Sequence, residues 1–250
     1  MSEPTPVARL IGVDKSFGSH TVLAAVTLEL PAGRCTFVAG PSGTGKSVLV
    51  RHLVGLLRPD AGEVWYRDLR VDQLDEQALL VLRRKCVYVF QHPTLFDSMS
   101  VAENVALVVK YHKGVKARVA ESLARAQLER MGLSRLADAR PPELPSGEQK
   151  LVSLARALAL EPETLILDEP TTGLDPYAAF EIDAHVRQLK EQGVTLLVIS
   201  HDLQSIRRLA DEVVFLFDRQ VRYQGGMQGF FEANDPVLDQ FVHARVHGAI

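Results

Sequence analysis

Short, strongly apolar runs alternate along this chain with longer stretches whose apolar positions recur at helical spacing. Cys35–Ala39, Val87–Phe90, Thr164–Leu167 and Val194–Ile199 are apolar almost throughout, the pattern of strands covered on both faces. Helical stretches separate them, which predicts an α/β fold with a mainly parallel sheet flanked by helices. The opening differs: Ala8–Val13 and Val22–Leu30 read as antiparallel strands joined by a turn at Gly18-Ser19. A late hairpin is expected from Val213–Phe217 and Val221–Tyr223 around Asp218-Arg219-Gln220. From about His92 to Leu144 the pattern is helical, and Lys116–Met131 carries apolar residues at Val119, Leu123, Ala126 and Met131. That region is too long for a plain crossover and predicts a helical subdomain inserted between core strands. The segment Gly225–Ile250 holds a short amphipathic element around Phe230, Phe231, Leu238 and Phe241.

Composition narrows the class. The chain has 250 residues, 46% of them apolar, enough for one α/β domain or a core with a subdomain. A net charge of −3 gives no electrostatic argument for nucleic acid. Both cysteines, Cys35 and Cys86, sit in apolar runs and read as buried free thiols of a reducing compartment. The start, Met1-Ser-Glu-Pro-Thr-Pro6, lacks the apolar core of a signal peptide. No apolar run approaches the ~18 residues of a membrane-spanning helix. The expectation is a soluble cytoplasmic chain that reaches a membrane only through a partner.

Chemistry enters at Gly40-Pro41-Ser42-Gly43-Thr44-Gly45-Lys46-Ser47, which fits G-x-x-x-x-G-K-[ST] in full. The strand Cys35–Ala39 precedes it, and the helical run Val48–Val54 follows. Glycines 40, 43 and 45 let the backbone turn tightly, so that successive N–H groups face an anion. The helix adds the positive end of its dipole. Lys46 would reach the β- and γ-phosphates, and the Ser47 hydroxyl would ligate Mg²⁺. The loop implies a nucleoside triphosphate and leaves its use open.

Other residues give that phosphate site a use. Thr164-Leu-Ile-Leu-Asp-Glu169 is an apolar strand ending in two carboxylates. A strand's C-terminal end opens on the ligand crevice of such sheets. Asp168 would hold Mg²⁺, and Glu169 would polarise the attacking water. His201 follows the strand Val194–Ser200 and could fix that water and Glu169 in line. Gln91, after Val87–Phe90, could ligate Mg²⁺ and report the γ-phosphate to the helical region. Phe17, in Lys15-Ser-Phe-Gly18, could stack on an adenine ring.

Together these residues resemble the nucleotide-binding subunit of ATP-binding cassette (ABC) transporters, from about Ala8 to Gly225. Phe17 matches the aromatic A-loop position, Gly40–Ser47 the Walker A motif, and Gln91 the Q-loop. Leu165–Glu169 matches Walker B, Thr172-Gly-Leu-Asp175 the D-loop, and His201 the switch histidine. The run Asp168-Glu-Pro-Thr-Thr-Gly-Leu-Asp-Pro176 is close to diagnostic. The resemblance implies a P-loop NTPase (RecA-like) core with an N-terminal antiparallel β subdomain and an inserted α-helical subdomain. Residues 6–226 would form the ATPase domain, with about 92–145 inserted as the helical subdomain and 227–250 as a tail. It implies ATP and Mg²⁺ as ligands, with Gly40 through Val48 around the nucleotide and Lys46, Glu169 and His201 catalytic. Two subunits would sandwich two ATP molecules, each between one P-loop and the other chain's signature and D-loop residues, Ser146, Gly147, Glu148, Gln149 and Asp175. The cycle would drive transmembrane permease subunits from the cytoplasmic face of the inner membrane.

One motif departs from the family. The signature L-S-G-G-Q is represented by Leu144-Pro-Ser-Gly-Glu-Gln149. An ungapped reading puts Pro145 in the Ser position, with Ser146 and Glu148 replacing a Gly and the Gln. A one-residue slip instead reads Ser146-Gly-Glu-Gln149 as S-G-G-Q; the Ser146/Gln149 spacing of a capping box favours the slip at the tip, while the downstream helix at Ala155-Arg156-Ala157 favours no gap. Either way Glu148 brings negative charge toward the partner's γ-phosphate, which predicts weak basal hydrolysis or a partner-dependent cycle. Within the family the chain looks most like the Mla/Mce type of phospholipid transport ATPase. That likeness rests on Ser42–Leu49, on Leu95-Phe-Asp-Ser-Met-Ser-Val101 with Glu103-Asn-Val105, and on Asn234-Asp-Pro with Gln240-Phe241. It implies an MlaE-like permease, an Mce-domain protein and a small STAS-domain protein as partners. The Gly225–Ile250 tail would contact the other ATPase copy or that small protein, or pack on its own domain. The alternatives are the ATPase of a polar amino acid importer, a soluble cassette ATPase, and a P-loop kinase.

Overall fold

The computed structural model describes residues 6–243. Strands β1 (Pro6–Phe17) and β2 (His20–Pro31) form the expected antiparallel pair, turning at Gly18, whose φ is +60°. β3 (Cys35–Ala39) leads into α1 (Lys46–Leu53). β4 (Ala61–Tyr66), β5 (Leu69–Arg70) and α2 (Glu76–Lys85) come next and were not legible from the apolar pattern. In β4 only Val64 and Tyr66 are buried, too short an alternation to stand out. β6 (Cys86–Val89) is followed by α3 (Val101–Lys113), α4 (Ala117–Arg130) and α5 (Ser146–Leu158). β7 (Thr164–Asp168), α6 (Pro176–Glu191), β8 (Thr195–Ile199) and α7 (Leu203–Leu209) continue the alternation. β9 (Glu212–Phe217), β10 (Gln220–Gly226), α8 (Met227–Glu232) and α9 (Pro236–His243) end the described chain.

Two sheets result. One is the antiparallel order β2-β1-β4-β5, and the other is the six-stranded order β10-β9-β3-β8-β7-β6. In the larger sheet β9, β3, β8, β7 and β6 run parallel, while β10 pairs antiparallel with β9. The late hairpin is therefore real, and its first strand is also a core strand. Asp218 and Arg219 both take positive φ, the mirror-image turn that suits strand twist.

Strand alternation splits the interior into two cores. Phe37, Leu165, Leu167, Val198 and Phe215 face helices α3 to α9. Val38, Ile166, Leu197, Ile199 and Val214 face α1, α2 and the antiparallel sheet. Cys35 lies in the first core and Cys86 in the second, both free and buried, and burial pushes each thiol up to about 12. They do not pair.

The helical region begins later than expected. Its first helix, α3, starts at a capping box between Ser100 and Glu103. The stripe assigned to the second helix is shifted by one position. α4 buries Ala120, Ala124, Gln127 and Leu128, whereas Val119 and Leu123 are 47% and 41% exposed. Alanines on the contact face let α4 approach closely, and that shape effect outweighs the larger apolar side chains beside it. The C-terminal segment packs on its own domain. Phe230 and Leu238 are buried, and Phe215 stacks obliquely with Phe230 and Phe241 at 6.0 and 5.0 Å. Residues 244–250 of the segment Gly225–Ile250 lie outside the described residues.

Candidate functional site

Parallel pairing brings the C-terminal ends of β3, β6, β7 and β8 to one edge. Val38 pairs with Ile199, Asp168 with Ile199, and Val89 with Leu167, so these strands end in register. The segments that leave this edge are Gly40–Gly45, Phe90-Gln91, Glu169–Thr172 and Ser200-His201. Each chemical residue predicted on a strand end therefore reaches the same crevice.

The phosphate loop depends on glycine at two points. A Cβ at Gly40, with φ +147°, would meet the Leu216 carbonyl oxygen at 2.3 Å. A Cβ at Gly45, with φ +96°, would meet Val22 at 2.8 Å, and Gly45 is also the N-cap of α1. The loop folds back on Lys46, whose Nζ donates to the carbonyls of Gly40 (2.9 Å) and Pro41 (2.8 Å). Burial lowers the Lys46 pKa, while Glu169 and Asp168 act against that shift. A bound polyphosphate would supply the missing negative charge.

Asp168 is 3% exposed, and both of its oxygens are engaged. Oδ1 accepts from the Ser47 hydroxyl at 3.0 Å, and Oδ2 accepts from the Tyr88 hydroxyl at 2.5 Å. Burial and the neighbouring carboxylate both raise the Tyr88 pKa, so the phenol remains a donor. Ser47, Asp168 and the Gln91 amide offer hydroxyl, carboxylate and carbonyl oxygens only, a set that fits Mg²⁺ rather than zinc. Among the described residues no group of three or more His, Cys, Asp or Glu could hold a metal ion by itself. The donor set therefore suits a cation that shares its coordination with phosphate oxygens and water.

Glu169 has φ +48°, a left-handed conformation for a residue that has a Cβ. Its amide donates to the Ile199 carbonyl (2.9 Å). Its Oε2 accepts from the Thr172 hydroxyl (2.7 Å), and its Oε1 lies 3.0 Å from His201 Nδ1. These contacts aim a held carboxylate into a cleft of about 480 Å³, lined by Phe17, Ser42, Lys46, Gln91, Glu169 and His201 among others. Phe17 stands 49% exposed at its mouth. A larger hollow of about 690 Å³ lies over α4 between Arg118, Glu121 and Arg125, but it holds none of these groups, so size does not identify the site here.

The structure does not bring every predicted residue into this cleft. Ser146, Gly147, Glu148 and Gln149 occupy the first turn of α5 and do not line it. Asp175 caps α6 by accepting from the amides of Tyr177 and Ala178. The capping-box reading of Ser146 is overturned. Pro145 is the N-cap of α5, without a side-chain hydrogen bond, and Ser146 is the first helical residue. The Gln149 side chain reaches back to the Leu144 carbonyl (3.0 Å) instead. The fixed φ of proline suits the turn into a helix, which places the helix start as the ungapped reading has it. Glu148 is not a free charge either: Arg135 donates to its Oε1 at 2.5 Å.

Tyr88, Thr172 as the partner of Glu169, Arg135 and Lys150 were not singled out from the sequence. Their contacts join residues far apart along the chain or fall within a loop, and periodicity carries no trace of either.

The ABC transporter family model matches residues 23–172. The intermembrane phospholipid transport system ATP-binding protein MlaF of Escherichia coli is 32% identical over 248 residues, 98% of this chain and 92% of MlaF. The methionine import ATP-binding protein MetN of Mesorhizobium japonicum is 38% identical over 236 residues, 93% of this chain and 63% of MetN. An ATP-binding cassette solved as a dimer in a post-hydrolysis state with ADP and Pi superposes with a TM-score of 0.80 at 30% identity. That likeness covers 88% of this chain and 98% of the solved one.

Proposed function

The chain belongs to the ABC transporter family, as an ATP-hydrolysing subunit that works as a dimer with membrane permease subunits, and we propose that its transport cycle moves phospholipids. The observation that carries the hydrolytic role is the meeting of Lys46, Asp168, Glu169 and His201 at one sheet edge. The amides of Gly43 to Ser47 and the Lys46 ammonium would bind the β- and γ-phosphates. Phe17 would cover the base. Ser47, Asp168 and Gln91 would hold Mg²⁺, which when bound offsets charge on the transferred phosphoryl group. Glu169, oriented by Thr172, would accept the proton of the attacking water, and His201 would keep the carboxylate and that water in line.

Hydrolysis needs a second chain in this reading. Ser146, Gly147, Glu148 and Asp175 would face the partner's ATP, completing a site that the cleft leaves open. The pairing of Glu148 with Arg135 would offset the expected charge repulsion. Any weakness of basal hydrolysis then rests on Pro145, which offers no hydroxyl or amide donor where the family has serine.

Two observations favour lipid as cargo. The match to MlaF runs over nearly the full length of both chains. The segment Leu95–Val101, which carries the subfamily likeness, follows Gln91 and is pinned by Asn104 of α3. Buried Asn104 accepts from the Phe96 amide (2.8 Å) and donates to the Phe96 carbonyl (3.1 Å), which leaves the ring 50% exposed. The proposed partners are an MlaE-like permease, an Mce-domain protein and a STAS-domain protein, at the cytoplasmic face of the inner membrane. Among the described residues no helix is long and apolar enough to cross a membrane, so the permease would supply the attachment. The second reading is an amino acid importer, which the similarity to MetN supports. Affinity capture of the permease complex decides between them. An Mce-domain subunit and ATPase stimulation by phospholipid support the first; a periplasmic solute-binding protein overturns it.

A further inference from the structure

Lys150 lies on α5, two residues beyond Glu148, and its side chain turns away from the signature face toward the loop after β7. Its Nζ donates to two backbone carbonyls there, Glu169 at 3.2 Å and Thr172 at 2.7 Å. The same two residues are joined twice more. The Thr172 amide donates to the Glu169 carbonyl (3.3 Å), and the Thr172 hydroxyl donates to the Glu169 carboxylate (2.7 Å). Glu169 holds a left-handed φ of +48° that its own Cβ disfavours, so the surrounding contacts must fix it. Lys150 is half-buried, and burial lowers its pKa while Glu169 opposes the shift. Two carbonyl contacts offset the loss of water around the ammonium. The start of α5 also packs closely on the start of α6, the helix that follows this loop, because a Cβ at Gly147 would meet the Ala178 Cβ at 2.9 Å.

We infer that Lys150 is a positioning residue for ATP hydrolysis, tying the helix that carries the signature segment to the loop that aims the Glu169 carboxylate. The inference rests on the proposed role of Glu169 as the group that activates water. α5 would sense the partner chain's nucleotide at Ser146–Glu148, and Lys150 would pass a shift of that turn to the chain's own Glu169. The two ATP sites of a dimer would then be coupled through one ammonium on each chain. Nothing covalent changes at Lys150; it sets where the carboxylate points.

The test is steady-state hydrolysis of Mg-ATP by the full chain, with kcat and KM measured separately for Lys150→Met, Lys150→Arg and Glu169→Gln. Methionine keeps the aliphatic stem and removes the donors. Loss of alignment by about an ångström predicts that Lys150→Met lowers kcat by roughly 10- to 100-fold, with KM for ATP within about 3-fold of the parent. Lys150→Arg is expected to recover most of the rate. Thr172→Val combined with Lys150→Met should cost less than the product of the single losses, since both hold one carboxylate. Should Lys150→Met prove unstable to thermal unfolding, Lys150→Gln is measured in its place. An unchanged kcat, a loss confined to KM, or no recovery with arginine overturns the inference. If Glu169→Gln abolishes turnover while Lys150→Met leaves kcat unchanged, only the inference fails. If Glu169→Gln turns over normally, the hydrolytic reading fails with it.

Discussion

The edge of the large sheet and the first turn of α5 would carry the two halves of the proposed chemistry, and they are built differently. At the sheet edge each functional side chain is already held by the chain itself. Lys46 rests on two loop carbonyls, Asp168 on Ser47 and Tyr88, and Glu169 on Thr172. At the start of α5, Ser146 and Pro145 are exposed, and the N-cap offers no side-chain hydrogen bond. Internal contacts there serve to neutralise Glu148 through Arg135 and to brace the helix through Lys150. In the proposed cycle the first region binds ATP with its own residues. The second would be completed by another molecule, which lets the chain depart from the family pattern there without cost to the fold.

Substitutions can break this contrast. The largest effects are expected at the sheet edge: Glu169→Gln should lower kcat by about 10²- to 10⁴-fold while ATP binding persists, measurable as phosphate release against nucleotide titration. Lys46→Ala should abolish binding itself. At α5 the substitutions that only remove an internal contact should have smaller effects, and these should depend on one another. Arg135→Ala exposes the Glu148 carboxylate and should lower ATPase several-fold, and adding Glu148→Gln should restore it; that recovery separates charge from fold. Glu148→Gly in the parent should change the rate little, because the charge is already paired. Pro145→Ser returns a donor to the partner-facing turn and should raise basal ATPase a few-fold in the same assay.

The smallest effect concerns stability behind the phosphate loop. His52 on α1 is 1% exposed; its Nδ1 contacts the Val48 carbonyl (2.7 Å), and its buried Nε2 has no hydrogen-bond partner among the described residues. Burial lowers its pKa below the ordinary 6.5. The unfolded chain therefore binds a proton that the folded chain refuses, and stability falls as pH drops below about 6.5. Thermal unfolding should shift down by a few degrees between neutral pH and pH 5, less steeply in His52→Leu. His112 and His185 are shifted the same way by burial and contribute a remainder.

The sequence made the first region legible and the second only in part. Glycine spacing, apolar strands and polar residues at strand ends are local signals, and they located Gly40–Ser47, Asp168, Glu169 and His201. The order of the sheet could not be read, because pairing β3 with β8 and β9 joins segments more than a hundred residues apart. The face of α4 was misjudged by one residue because alanine contributes little to a hydrophobic stripe yet permits the closest packing. Arg135–Glu148 and Lys150–Glu169 join residues 13 and 19 positions apart across loops, where no periodicity points from one to the other. Spacing makes Ser146 look like a cap, and spacing alone cannot tell that Pro145 already occupies that place.

The central claim is that each hydrolytic site takes its phosphate loop from one chain and its signature turn from another. Lys46→Ala and the exposed-site variant Ser146→Glu should each be inactive alone. Mixed in equal amounts and given ATP, they should recover a measurable share of parental ATPase, since a hybrid dimer holds one site with an intact loop facing an intact turn. A mixture as inactive as its components, with hybrid dimers demonstrably formed, would contradict the account.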